Sequence, residues 1–183
     1  MKTFFKWLGM TALILIAITG IFATHEWNAD KPLVFNNFLN RTLVKEALAN
    51  PEILTSIGVL ERIGITGHNA HLNDASEEAS SAIFERLKKV RETLFQYKDE
   101  DLSEDELLSK EIAMYLLNLL DDLETYQYHD YPFNQMSGAQ SRFPSFMDAQ
   151  HAISNVQSVE NYISRLSESK RYYTQTLEGM RVR

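Results

Sequence analysis

The chain has 183 residues, a length that suits one domain, and its lack of cysteine excludes both a disulfide framework and a thiolate metal site. Glycine and proline are sparse, at 7 and 4 residues, which predicts an all-α protein rather than one built from strands and tight turns. The net charge is −7 and basic residues form no cluster before the C-terminal end, which argues against a surface for nucleic acid.

The N-terminal segment carries the most specific physical signal in the sequence. Lys2 and Lys6 precede an apolar run from Trp7 to Ala23 that contains no charge. This pattern predicts that residues 1–26 enter a membrane and that residues 3–24 contact the lipid. Because lysines precede the run, the N-terminus is expected in the cytoplasm and the remainder of the chain outside it.

Two interpretations of this segment stay open. An uncleaved anchor is favoured because Trp7 and Trp27 flank the run, and a helix of about 20 residues spans the roughly 30 Å of the hydrocarbon layer. The alternative is a signal peptide cleaved after Ala23. The first predicts a protein of the cytoplasmic membrane with a periplasmic soluble part, and the second predicts a secreted one.

Residues 27–183 are predicted to form an irregular helical bundle within a larger helical fold. Apolar residues recur at helical spacing from Leu33 to Leu48 and mark the first soluble helix. Asn50 is a suitable N-cap and Pro51 a suitable first residue for a second helix, which is expected to continue to Gly64.

Two capping boxes predict the next helices. Asp74 with Glu77 is expected to begin a helix whose apolar residues reach Tyr97, and Ser103 with Glu106 a third long helix that ends near Tyr126. Apolar residues nearly encircle this third helix between residues 116 and 120, so it is expected at the centre of the bundle.

The stretch from residue 131 to residue 151 has neither helical nor strand periodicity and is predicted to be a structured loop. Its two prolines fix φ, and its glycine is expected to permit a backbone turn that a residue with a Cβ resists. Such a loop is either packed into the body, with its amides bonded to backbone groups, or lines a site; the first is favoured. The second makes these residues the candidates for substrate contact: Asn134, Gln135, Gly138, Gln140 and His151.

A last helix is expected to follow the loop, with Asn155 or Ser158 as its N-cap. Its predicted apolar face contains Val159, Tyr162, Ile163, Leu166, Tyr173 and Leu177. Gly179 is expected to stop this helix, and the chain then looks cut rather than finished.

Histidines offer no complete catalytic constellation. His68 and His71 are three residues apart, but the flanking glycines indicate a loop and no third ligand has a recognisable spacing, so a role without metal is favoured. The pair His25-Glu26 is similar to the start of a zinc-peptidase helix, but alanine occupies position 29, where the second histidine would be needed. His129-Asp130 and His151 bracket the loop without a nucleophile motif. The sequence therefore predicts no catalytic and no metal-binding residue.

The loop and the segment after it carry a family resemblance. Tyr131-Pro132-x-Asn134-Gln135-x-x-Gly138-x-Gln140, then Phe143-Pro144-Ser145-Phe146 and Glu160-Asn161-Tyr162-Ile163-x-Arg165-Leu166, resemble the N-terminal part of the bacterial family called domain of unknown function 885. The resemblance covers about residues 27–183. It implies a largely helical, commonly exported protein that is several times longer than this chain.

The same resemblance implies a zinc-peptidase-like protein, because members carry a His-Glu motif followed closely by Pro-Gly-His in their C-terminal half. That half is absent here, so zinc is expected only there, and no residue of this chain inherits a role as ligand or base. We therefore expect a membrane-tethered scaffold that packs against the missing half and contacts a peptide substrate. The alternative is a non-catalytic, membrane-anchored helical module that binds a partner through the loop and its exposed apolar faces.

Overall fold

The computed structural model describes the backbone of residues 2–181 and the side chains of residue 7 and residues 9–181. Within this part of the chain there are α-helices and short 3₁₀ turns but no strands, which confirms the all-α prediction. The side chains of Lys2 and Lys6, on which the predicted orientation rests, lie outside the described residues, as do Val182 and Arg183. The helices are α1 (Lys2–Asn28), α2 (Phe35–Leu48), α3 (Pro51–Ile57), α4 (Glu77–Phe95), α5 (Glu104–Thr125), α6 (Ala139–Ala149), α7 (Val156–Ser167) and α8 (Ser169–Met180).

Helix α1 contains the apolar run and joins α2 through a polar junction. Gly9–Asn28 is long and apolar enough to cross a membrane, a test that signal sequences also pass. The N-cap of α2 is Val34, whose side chain cannot cap, and the buried carboxylate of Glu26 instead accepts hydrogen bonds from the backbone N–H groups of Leu33 (2.8 Å) and Val34 (3.2 Å). One end of α1 is thereby fastened to the start of α2.

The first hydrophobic core lies between α2, α4 and α5. It contains Phe35, Phe38, Leu94, Tyr97 and Leu117. The Tyr97 hydroxyl donates to the carbonyl of Pro32 over 2.7 Å, so this buried polar group is satisfied. Helix α5 begins with the predicted capping box, in which Ser103 and Glu106 bond each other's backbone N–H groups, and this prediction is confirmed.

The second core forms around α6, α7 and α8. Its buried members are Leu72, Phe143 and Met147, and partly buried aromatic side chains pack against them: Phe146, Tyr162, Tyr172 and Tyr173. The stretch predicted as a loop is thus only partly irregular, because α6 occupies Ala139–Ala149. Pro144 lies inside α6 and interrupts its helical pattern in the sequence. Proline removes a backbone donor, but it does not prevent a helix that packing holds together.

Several predicted helix ends were wrong. Helix α3 ends at Ile57 instead of Gly64, because Gly58 adopts a left-handed φ of 64°. Ser76, and not Asp74, is the N-cap of α4, and Asp74 instead accepts a hydrogen bond from the Ser76 backbone N–H. Gly179 lies within α8, so it is not a stop.

Two predictions about the later helices also need correction. The single last helix is two helices, α7 and α8, which meet at Glu168, although Asn155 does cap α7 together with Ser158 in a capping box. Helix α5 is not at the centre of the described fold: it packs on α4 with Leu117 buried, while an apolar row on its other side is exposed. That row contains Leu108, Ile112, Tyr115, Leu119, Leu123 and Tyr126.

Candidate functional site

The segment before α6 forms an open groove on the surface. Its volume is about 490 Å³, and it is lined by Tyr131, Phe133, Asn134, Gln135 and Gln140. We call it the loop groove. Three of the five residues predicted to contact substrate line it, and they lie around the N-terminal end of α6.

Within the loop groove, Asn134 holds the backbone in shape. Its Oδ1 accepts from the N–H groups of Met136 (3.0 Å) and Ser137 (2.8 Å), and its Nδ2 donates to the carbonyl of Tyr131 (3.0 Å). The side chain of Gln140 donates to the Asn134 carbonyl. These two amides stabilise the turn, as asparagine commonly does, whereas the Gln135 side chain is exposed.

Gly138 is needed for space and not for an unusual backbone angle. It is buried, precedes α6 as its N-cap and has a φ of −68°, which any residue can adopt. A Cβ at this position would lie 2.8 Å from the carbonyl oxygen of Asn134, closer than real Cβ atoms approach backbone. The sequence-based expectation of a special turn is thus replaced by a close approach of two backbone segments.

An aromatic cleft lies beside the loop groove. It measures about 310 Å³ and is lined by Phe143, Phe146 and Tyr172 together with Glu52, Asn73 and Arg142. The Tyr173 ring links the two depressions, since it is 6.0 Å from the ring of Phe133 and 5.8 Å from that of Phe143. Burial raises the pKa of Tyr172, an effect that Arg142 opposes and Glu52 reinforces. The cleft therefore offers apolar rings with one cation and one carboxylate at their edge.

His151 does not join the other candidates in the loop groove. It is 5% exposed and lies next to Arg165, which is fully buried on α7. The guanidinium of Arg165 donates to the carbonyls of His71 (2.8 Å) and His68 (2.9 Å), and to the hydroxyl of Thr55 (2.8 Å). Burial lowers the pKa of Arg165 to about 10, so it stays charged near neutrality.

Arg165 also sets the state of His151. The His151 Nε2 lies 3.1 Å from the Ser158 carbonyl and its Nδ1 lies 3.1 Å from Nη1 of Arg165. Because a carbonyl only accepts and a guanidinium only donates, Nε2 carries the proton and Nδ1 accepts. Burial lowers the pKa of His151, and the charge of Arg165 lowers it further, so the ring is neutral. His151 thus contributes to the Arg165 cluster, defined by Thr55, His68, His71, His151 and Arg165.

The model of the family described as "Bacterial protein of unknown function (DUF885)" matches residues 51–183. The chain belongs to this family. The match includes the loop groove, the aromatic cleft and the Arg165 cluster, but not α1 and α2. No curated protein and no solved structure matches the chain.

His68 and His71 of this DUF885 chain are bonded to separate carboxylates. His68 Nε2 lies 2.9 Å from Glu61 and His71 Nδ1 lies 2.8 Å from Glu168. Among the residues that the structure describes, no group of three or more His, Cys, Asp or Glu side chains could hold a metal ion. The described residues therefore do not fit a zinc ion.

Two charged residues with central roles were missed in the sequence. Arg165 and Glu26 are both buried, and periodicity ranks charged positions as exposed. A signal for Arg165 does exist: Asn161 is four residues before it, and both lie on the polar side of α7, where Asn161 donates to the carbonyl of Thr66 over 3.0 Å. Their spacing of four places both residues on one side of α7.

Proposed function

We propose that this chain is the scaffold portion of a membrane-tethered, zinc-peptidase-like protein. In this proposal, α1 holds the protein in the cytoplasmic membrane, the helical part lies on the periplasmic side, and a second helical half supplies the zinc site. The loop groove and the aromatic cleft form one wall of a cleft that receives a peptide. Membership of DUF885 supports a shared architecture.

One observation carries the proposal: α7 faces its apolar side outward. Val156, Val159, Ile163 and Leu166 follow at spacings of three and four residues, and they are 76, 40, 58 and 47% exposed. The buried residues of α7 are instead the polar Asn161 and Arg165. An apolar row of this kind favours a contact with another protein surface. The exposed row of α5 supports the same conclusion.

The loop groove gives the proposal its peptide contact. Gln135 is exposed at the rim, and its amide can both donate to and accept from an extended backbone. Tyr131 and Phe133 supply apolar surface next to it. Asn134 and Gln140 hold the turn. In this arrangement Gln135 contacts the substrate while its neighbours keep the groove in shape.

Photocrosslinking tests the proposed partner. Ile163 and Ser164 are adjacent and both exposed on α7, but only Ile163 belongs to the apolar row. Benzoylphenylalanine placed at position 163 in bacterial cells should crosslink to polypeptide that carries the His-Glu zinc motif, and at position 164 it should not. Equal crosslinking at both positions, or capture of lipid alone at 163, would contradict the proposal.

Charge substitutions at the same two positions separate folding from assembly. Ile163→Glu should leave the melting temperature of this chain nearly unchanged, because the side chain is 58% exposed. With benzoylphenylalanine at position 159 of the same row, Ile163→Glu should nevertheless abolish the crosslink, whereas Ser164→Glu should preserve it. If both variants assemble normally, α7 is not the contact.

A second candidate function is a non-catalytic, membrane-anchored module that binds a partner protein. The Arg165 cluster favours it, because the buried guanidinium finds all of its hydrogen-bond partners within this chain. A fragment of residues 27–183 that is monodisperse and melts cooperatively would support this alternative. An aggregating or molten fragment would support the scaffold proposal.

A further inference from the structure

A pocket lies at the end of the apolar helix. It measures about 610 Å³ and lies between the C-terminal end of α1, helix α2 and helix α4. Its wall includes Asn28, Ala29 and Asp30, which directly follow or end the apolar segment. Its α1 and α2 side lies outside the DUF885 match, which begins at residue 51, whereas its α4 side lies within the match. Nothing in the proposed peptidase-like role uses the pocket.

The pocket contains an excess of positive charge. Arg41, Lys45, Arg86 and Lys89 line it, opposite the carboxylates of Asp30, Glu46 and Glu92. Arg86 is already neutralised, because its Nε and Nη2 donate to Glu46 over 3.1 and 3.2 Å. After this pair is removed, three cations and two carboxylates remain in the lining.

Arg41 and Lys45 are adjacent cations held in place by neutral groups. Arg41 donates to the carbonyls of Glu26, Trp27, Ala29 and Asp30 at distances from 2.5 to 3.3 Å. Lys45 donates to the Trp27 carbonyl over 3.2 Å and lies 5.6 Å above the Trp27 ring. Across residues 7 and 9–181, no carboxylate forms an ion pair with either cation.

Two further observations indicate that this pair is suited to bind an anion. The Nε of Arg41 is buried and has no hydrogen-bond partner, although a buried donor is costly to leave unpaired. Burial lowers the pKa of Lys45, and the neighbouring charge of Arg41 lowers it further. An anion between these side chains would relieve the charge repulsion and could supply the missing acceptor.

The location of the pocket indicates which class of anion would fit. If α1 crosses the membrane, Asn28 lies where the apolar run ends, and phospholipid phosphates lie just outside the hydrocarbon layer of about 30 Å. Trp27 is an aromatic residue of the kind found at that boundary. We propose that the pocket binds the phosphate of a membrane phospholipid, with Arg41, Lys45 and Lys89 as its cationic contacts. This inference rests on the proposed anchoring of α1 and is independent of the peptidase-like role.

Tryptophan fluorescence of the detergent-purified full chain tests this proposal. In a Trp7→Phe background, Trp27 is the only tryptophan, and it lies beside Lys45. Dioctanoyl phosphatidylglycerol should give a saturable change in its emission. Dioctanoylglycerol, which lacks the phosphate, should give none. Glycerol 3-phosphate should bind at least about tenfold more weakly, because it lacks the acyl chains that α1 and the detergent accommodate.

Matched lysine variants identify the contacts. Lys45→Gln combined with Lys89→Gln should weaken the lipid at least about tenfold, because charge-assisted hydrogen bonds are lost. Lys88→Gln is the control, since Lys88 pairs with Glu124 over 2.8 Å outside this pocket. Circular dichroism checks that each variant is folded. Arg41 is left unchanged because it also holds the end of α1.

Each other result would overturn the proposal in a recognisable way. Equal binding of dioctanoylglycerol would indicate a purely apolar site, and equal binding of glycerol 3-phosphate would indicate a site for a soluble phosphate. An unchanged affinity in the double variant would exclude Lys45 and Lys89 as contacts. If α1 proves to be cleaved in cells, the proposed anchoring is wrong. That result is distinguishable from a failure of lipid binding, because the fluorescence measurement uses the uncleaved chain.

Discussion

Arg165 connects segments that are far apart in the sequence. Its guanidinium bonds Thr55 on α3, the backbone of the 3₁₀ turn Gly67–Ala70 and its neighbour His71, and His151 after α6. Replacing a whole buried network of charges and hydrogen bonds by apolar groups costs a protein little stability. Removing one member costs much more, because the polar groups that it bonded stay buried without a partner. Arg165 therefore stabilises the arrangement of these segments more than it stabilises α7 itself.

The hydrogen bonds of Arg165 predict the effect of Arg165→Met. The variant should lose about 3–5 kcal/mol of unfolding free energy, because two carbonyls, one hydroxyl and one imidazole nitrogen lose their donor. Arg165→Lys should also destabilise, since an ammonium cannot reproduce the planar fork. Urea unfolding followed by circular dichroism measures both. Arg62→Met, at an exposed position, is the control and should change the stability by less than about 0.5 kcal/mol.

Glu168 at the junction of α7 and α8 predicts a specific dependence of stability on pH. Burial alone would raise the pKa of Glu168, but hydrogen bonds from His71, the Leu72 backbone and Arg171 outweigh it and lower the pKa to about 2, from an ordinary 4.5. Since the folded value is the lower one, this stabilisation is complete above pH 4.5 and is lost as the pH falls towards 2.

The variant Glu168→Gln isolates this contribution. Near neutral pH it should be less stable than the natural chain by about 2–3 kcal/mol, and this difference should shrink as the pH is lowered through the window from 4.5 to 2. Urea unfolding at a series of pH values measures it. Glu160→Gln, at an exposed position on α7, should show no such convergence. A constant difference at every pH would mean that Glu168 stabilises through packing and not through its charge.

At the scale of elements, the turn from the loop groove into α6 depends on Gly138. Gly138→Ala should destabilise the chain by about 1–3 kcal/mol, because the added methyl group meets the backbone of Asn134 and forces one segment to move. Thermal or urea unfolding measures the loss. Gly67→Ala is the matched control, since a Cβ there meets nothing within 4 Å. Similar stabilities for the two variants would show that the turn can shift without cost.

The sequence predicted the helices better than it predicted their orientation. Periodicity and side-chain caps located α2, α4 and α5, and the capping box at Ser103 and the N-cap at Asn155 were confirmed. Helix α6 was missed because Pro144 interrupts its pattern. The outward apolar row of α7 was not predictable, since periodicity identifies an apolar side but does not say what covers it.

The candidate site was predicted in part for a similar reason. Asn134, Gln135 and Gln140 were correctly predicted to lie together, because they belong to one short segment of the sequence. His151 follows the same segment but lies in the Arg165 cluster, which depends on contacts between residues about 95 to 110 positions apart. Such contacts leave no periodic trace in a single sequence.

At the scale of the whole molecule, the apolar helix and the helical body are joined through polar contacts rather than a free linker. Glu26 in the last turns of α1 bonds the start of α2, and Arg41 of α2 bonds carbonyls at the end of α1. These contacts satisfy the backbone groups that a helix end leaves unpaired. A chain cleaved after Ala23 would keep Glu26, Arg41 and the backbone groups that they bond.

The junction leads to a prediction about the fate of α1 in cells. The full chain should remain in the membrane fraction after carbonate extraction, and residues from position 40 onward should be accessible to protease from the periplasmic side, because an intact α1 is long enough to span the lipid. Arg41→Ala should leave the chain in the membrane but should increase proteolysis between residues 28 and 34, since the carbonyls at the end of α1 lose their donor. Lys98→Ala, at an exposed position distant in sequence from α1, should change neither result. A soluble product that begins at Thr24 would instead identify α1 as a cleaved signal peptide, and the contacts of Glu26 and Arg41 would then hold only the N-terminal residues of the mature protein.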